Sequence, residues 1–366
     1  WRETFPTDFV DPYGYSNGPR CTPLVTKDKV YVFGSNGRLS CLNLEDGQVI
    51  WTRDTNEEFD VPQAFFGVGS TPVLEGNLLI VMVGGQPNSG VVAFNAHTGE
   101  TVWENVGTDA WDMKGKPGQG DPKLASYSSL VVREINGKRH LLALMRPGLV
   151  SLDPQTGELN FSYYFRSRLH DSVNAAMPIV VDDQIFLTAA YGVGSVLLKV
   201  SEDGKSVEEV WKNADNMRAH WTTPIYHEGY LYGFSGRHEI PSSLRCIDWA
   251  TGEVQWMTDE EEDGAGLVSP RDGSSSVEPK WYGRGSAVMA EGKLIVLGER
   301  GTLALVPVDP EKFTEISRVK YPEMKYPSWT GPVLSRGRLY IRCEDKIAQR
   351  GGYYLLCVDL SSGSGT

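Results

Sequence analysis

Six side chains suited to binding chemistry stand at one offset in a recurring pattern. Arg20, Tyr127, His220 with Trp221, Arg284 and Trp329 each lie just before an apolar segment, in "RCTPLV", "YSSLVV", "HWTTPIY", "RGSAVM" and "WTGPVL", and Gly69 holds the same place in "GSTPVL". A guanidinium grips a carboxylate or phosphate through paired hydrogen bonds. Tyr, Trp and His add apolar faces with polar tips. Together these types suit a polar ligand pocket or the hot spot of an interface. Two arginines brought close repel unless an anionic group lies between them. The expectation is therefore an anionic or carboxylate-bearing small ligand, or an acidic loop of the protein itself, with the 257–283 insertion as one source. The plainer alternative is that these side chains satisfy backbone groups and plug a channel.

Other chemistry has weaker support. No carboxylate pair stands out as catalytic. The six histidines, among them His170 in "RSRLHDSVN" and His238 in "GRHEIP", show no metal-ligand spacing and read as loop and rim positions. There is no CxxC or CxxH for zinc. The acidic run Asp259–Asp263 lacks the alternating ligands of a calcium loop and reads as a solvated face. No metal site is expected.

The elements that would position the six residues are repeats. "GRLSCLNLEDGQVIW", "GVVAFNAHTGETVW", "GLVSLDPQTGELNF" and "SLRCIDWATGEVQW" share a strand, an Asx/Gly turn and a second strand. An aromatic stands four residues after the turn Gly in each: Trp51, Trp103, Phe161 and Trp256. A looser copy ends at Trp211, and Trp1 opens the chain with "WRETF", which reads like "WTRDT" at 51–55. Upstream of each copy sits a second strand pair, as in "TPLVTKDKVYVFG". The result is seven units, at about 20–55, 69–105, 127–165, 175–213, 221–258, 284–316 and 329–360, of roughly four strands each. Because side chains alternate along a strand, the fixed offset places each aromatic on one face, where it packs between neighbouring sheets.

Cys41, Cys246 and Cys357 hold one equivalent place in the repeat, where other copies have Ala93 or Ser151. This reads as a small, buried strand position. Equivalent places in different sheets are too far apart for a disulfide. Cys21 and Cys343 are left open. Two insertions, 106–126 and 257–283, break the pattern, and loops of such length are functional or flexible.

Length and composition agree with a large all-β chain of 366 residues, in which 40 Gly and 21 Pro serve many turns. Helices are expected to be few. A net charge of −12 argues against nucleic-acid binding, which needs basic patches. No apolar run is long enough to span a membrane as a helix. No signal peptide opens the chain, so an exported precursor would have been trimmed.

Repeated four-stranded antiparallel units favour a β-propeller over a solenoid, because radial closure protects the sheet edges. The reading is one domain over 1–366, with seven blades and residues 1–5 as a strand closing the last; an eight-bladed parent is the alternative. The unit "VYVFGSNGRLSCLNLEDGQVIW" resembles the pyrroloquinoline-quinone (PQQ) repeat. That repeat builds quinoprotein alcohol dehydrogenases and the periplasmic propeller lipoprotein of the outer-membrane assembly machine. The resemblance covers nearly the whole chain and extends to exported PQQ-binding-like propeller proteins, with "GPRCTPLV" as a shared piece. It implies a propeller in the periplasm or otherwise exported. Quinoprotein dehydrogenases carry an adjacent Cys-Cys pair and hold Ca²⁺ with a Glu, an Asn and an Asp. This sequence has no Cys-Cys, and those ligands do not map onto it. The expected function is therefore a non-catalytic scaffold that binds a protein partner or a small ligand, without cofactor. The runner-up is a PQQ- and calcium-dependent dehydrogenase.

Overall fold

The computed structural model describes residues 1–14, 17–62, 65–258, 280–324, 326–345 and 352–360. One turn shows how the sequence makes a strand pair. In "LNLEDGQ" the Asn43 side-chain oxygen accepts from the Glu45 and Asp46 N–H groups, closing an Asx turn. The Gly47 N–H then donates to the Asn43 carbonyl at 3.0 Å, with Gly47 at φ +74°. Asn95, Asp153 and Asp248 organise the same turn ahead of Gly99, Gly157 and Gly252. Polar turn chemistry thus fixes the register of each outer strand pair.

The first sheet runs Leu24–Val25, Lys29–Phe33, Arg38–Asn43 and Val49–Asp54, each strand antiparallel to the next. It is one of seven such meanders in chain order, six with four strands and, among the described residues, a last one with three. These are the blades of an all-β propeller fold. The α-helix Thr55–Glu58 and the 3₁₀ turn Thr108–Ala110 are the helical elements of the described residues.

The chain divides into two compact units, Trp1–Val210 and Trp211–Thr366. In the first, one core cluster joins the first and second sheets around Phe33, Cys41, Val81 and Phe94, and another joins the second and third around Ile80, Val91, Leu141 and Val150. In the second, Phe234, Cys246, Val296 and Val306 form the corresponding core.

Within each unit the repeated aromatics do what their spacing implies, and they do it to the turn glycine of the following sheet. The Trp51 indole lies over Gly99, where an ideal Cβ would stand 2.7 Å from the ring. Its N–H donates to the Ala96 carbonyl at 3.2 Å. Trp103 repeats this on Gly157 and Pro154, and Trp211 on Gly252 and Trp249. Trp256 donates to the Asp309 carbonyl at 2.7 Å. The turn glycine therefore has two reasons to be glycine: positive φ, and a bare face on which the previous sheet's indole rests. Phe161 has no N–H to give. In its joint the buried His140 lies beside it, with ring centroids 6.0 Å apart, and meets Gly204 instead.

Two expectations change. Trp1–Phe5 forms no strand, and no fourth strand joins the last sheet among the described residues. Trp1 takes the aromatic place instead: its ring covers Gly47 and its N–H donates to the Leu44 carbonyl at 2.9 Å. The shared position of the cysteines is real, since Cys41 pairs with Tyr31 and Trp51, Cys246 with Tyr232 and Trp256, and Cys357 with Tyr340. Cys41 and Cys246 are buried, but Cys357 is exposed. Its sheet has no fourth-strand aromatic among the described residues to cover it. All five cysteines, Cys21 and Cys343 included, are free thiols.

Candidate functional site

The residues that share the offset before the first strand collect in two groups, one in each unit. In the first unit Arg20 forms an ion pair with Asp11 at 2.5 Å and lies over the rings of Phe9 and Phe66. Phe66 packs edge-on against Tyr127, whose hydroxyl accepts from the Phe66 N–H at 2.8 Å. Gly69, at the equivalent place, leaves room for the Tyr127 ring, which would stand 2.3 Å from a Cβ there. Burial raises the Tyr127 hydroxyl to about 12, so it stays a neutral phenol.

In the second unit the repeat brings His220, Trp221, Arg284 and Trp329 into one cluster. Arg284 is 4% exposed and Glu299 is fully buried. The Arg284 Nε and Nη2 donate to the Glu299 carboxylate at 2.8–3.1 Å, and the Arg284 backbone N–H adds a bond at 2.7 Å. The Trp329 indole N–H donates to the same carboxylate at 3.0 Å. The guanidinium sits 4.8 Å from the Trp221 ring and 5.6 Å from that of Trp329, an arrangement that favours a cation on aromatic faces. Beside it Glu239, also fully buried, pairs with Arg300, and Arg300 lies over Tyr326.

The anionic partner expected for the arginines is therefore internal. It is Asp11 for Arg20 and Glu299 for Arg284. The part of the 257–283 insertion suggested as that partner, with the acidic run Asp259–Asp263, lies outside the described residues. Burial raises the Glu299 carboxyl above the ordinary carboxylate value, while Arg284 opposes the shift.

His220 carries the most marked pH dependence here. Burial, reinforced by Arg284, Arg237 and His238, lowers its imidazole to about 3. An unfolded His titrates near 6.5, so below that pH the unfolded chain binds a proton that the folded chain refuses. The resulting stability is complete above about pH 6.5 and is lost as pH falls toward 3, reaching about 2 kcal/mol by pH 5. Denaturant unfolding at pH 7 and pH 5 should show this loss, and a His220→Phe protein should show a smaller one. Equal pH dependence in the two proteins would contradict it.

Glu299, Glu239, Arg300 and Asp11 escape a reading that stacks the repeats only before the first strand. Stacking them at the turn between second and third strands aligns Ser35, Arg146 and Glu299, each following a residue whose N–H closes that turn (Gly34, Met145 and Gly298). That second register pairs a before-strand Arg284 with an in-turn Glu299. Asp11 precedes the first repeat, where no register reaches it. Among the described residues no group of three His, Cys, Asp or Glu is placed to hold a metal ion.

Known proteins share this architecture. The family model described as outer membrane protein assembly factor BamB matches residues 1–258. The outer membrane protein assembly factor BamB of Shewanella oneidensis is 22% identical over 348 residues, covering 84% of this chain and 76% of its own. The crystal structure of BamB from Moraxella catarrhalis superposes with a TM-score of 0.56 at 14% identity, covering 86% of this chain and 78% of that one. Quinohemoprotein alcohol dehydrogenase from Comamonas testosteroni gives 0.56 at 14%, covering 88% of this chain and 62% of that one. At such identities the two structural likenesses establish the propeller fold alone.

Proposed function

This chain belongs to the family of the outer membrane protein assembly factor BamB, and from that premise we propose that it is an exported, non-catalytic propeller scaffold that binds a protein partner. The observation that carries this reading is the internal pairing of its convergent charges. Arg284 and Glu299 neutralise each other in a buried network braced by two tryptophans, and Arg20 is held by Asp11. A general acid or base needs a proton it can exchange with substrate. Groups locked in this way suit rigidity instead, and a rigid surface keeps the ordering cost of binding a partner low. No helix in the described residues is long and apolar enough to cross a membrane.

The quinoprotein reading fits the chain's residues poorly. The five thiols are free, with no adjacent Cys-Cys pair in the sequence. Cross-linking the purified protein to detergent-extracted outer-membrane proteins of its source should give one saturable partner that unlabelled protein competes away. Labelling without saturation, or competition by heat-denatured protein as well, would sink the scaffold proposal.

A further inference from the structure

The 106–126 insertion is anchored. Trp111 is 3% exposed, packs into the core between the second and third sheets, and donates its indole N–H to the Leu149 carbonyl at 3.1 Å. The Tyr164 hydroxyl donates to the Pro117 carbonyl at 3.0 Å, and the Gln86 amide to the Pro122 carbonyl at 2.8 Å. These bonds hold residues 118–123 opposite residues 166–170. A cavity of about 480 Å³ lies between the two segments.

The cavity is cationic. Arg166 is 9% exposed, and its Nη2 donates to Asp121 Oδ2 at 2.8 Å. Its Nε and Nη1 are buried and find no acceptor among the described residues. Gly118 leaves space for this guanidinium, since an ideal Cβ would stand 2.1 Å from Nη1. Behind it the buried Arg146 approaches the same Asp121 oxygen at 3.4 Å, and its Nε also lacks an acceptor. Lys123 and Arg168 line the same cavity. Phe65 lies under both Arg146, at 4.7 Å, and Lys123, at 5.7 Å. Three cations, Lys123, Arg166 and Arg168, thus line the cavity against one lining carboxylate, Asp121, a surplus of two positive charges, while Arg146 stands behind them with Asp171 near it, in a chain whose net charge is −12.

We propose that this cavity is a binding site for a doubly charged oxyanion of the phosphate-monoester type. A phosphate monoester carries roughly −1.5 to −2 at neutral pH, which matches the surplus of two positive charges. Its acceptor oxygens supply the strong partners that guanidinium and ammonium groups take best. The source is either a free phosphate compound or a lipid headgroup bearing a terminal phosphate.

The test is titration of the purified protein with inorganic phosphate at constant ionic strength, followed by calorimetry. Saturable binding at one site is expected. Arg168→Ala and Lys123→Ala should each weaken it about tenfold, the double variant should abolish it, and Lys114→Ala, an exposed cation of the same insertion, should leave it unchanged. Arg168 is exposed and Lys123 half-buried, so these variants avoid the buried Arg146 and Arg166 and should fold; a near-UV spectrum checks that they do. Binding to phosphatidylcholine vesicles carrying phosphatidic acid, lost in Arg168→Ala, would assign the headgroup source, and binding confined to free phosphate the soluble one. Non-saturable binding, an equal loss in Lys114→Ala, or tighter binding of succinate than of phosphate would overturn the proposal.

Discussion

Arg284→Ala should cost about 3–5 kcal/mol of folding stability, enough to threaten a fold held by the usual 5–15 kcal/mol. The expectation rests on what the substitution leaves behind. Glu299 is fully buried, and it would keep the Trp329 N–H and the backbone N–H of residue 284 while losing its cation. An uncompensated buried carboxylate is far costlier than the pair is stabilising. Replacing both partners together, as Arg284→Met with Glu299→Leu, should therefore be milder than Arg284→Ala alone. Urea unfolding of the three proteins measures this directly. A double variant less stable than the single would mean that the pair is a net source of stability. A loss below about 1 kcal/mol in Arg284→Ala would mean that water reaches Glu299. The sequence alone leaves open whether the anion at Arg284 is an external ligand or an acidic group of the protein itself; the contact with Glu299 is of the second kind, and it makes Arg284 part of what holds the fold.

Trp51→Ala should cost about 3–5 kcal/mol, because it removes a large ring, a buried hydrogen bond and the cover of Gly99 in one step. The glycine gives a sharper form of the same prediction. Gly99→Ala introduces a Cβ both at φ +75° and 2.7 Å from the Trp51 ring. Gly76→Ala introduces one at φ +60° with nothing within 4 Å. The second change should cost about 1–2 kcal/mol of backbone strain, and the first clearly more. In a Trp51→Ala background the extra penalty of Gly99→Ala should disappear, a coupling that a double-mutant cycle detects. Additive losses would show that the indole and the glycine are independent.

The aromatic ladder is legible in the sequence because its cause is local and repeated. An Asx turn, a glycine and a fixed offset recur with the same neighbours each time, so stacking copies reveals the face. What the glycine touches is not legible, because its partner indole comes from the preceding repeat, some 48 residues from Gly99 back to Trp51. The cluster before the first strands is half legible. Register finds Arg284, Trp221 and Trp329, yet Glu299 lies at a different turn and Asp11 outside the repeats. The Arg166 cavity is invisible to repeat stacking, because the 106–126 insertion that walls it is the place where the repeat is broken. Cys357 shows the opposite failure: its register is right, but burial there depends on a strand that its own sheet lacks among the described residues.

The central claim, a scaffold without a quinone, is tested most directly by mixing the purified protein with PQQ and Ca²⁺, desalting it, and recording both the retained absorbance and dye reduction with alcohols and sugars. No stoichiometric quinone band and no substrate-dependent reduction are expected. A band that survives desalting at one quinone per chain, together with alcohol- or sugar-dependent reduction, would contradict the claim.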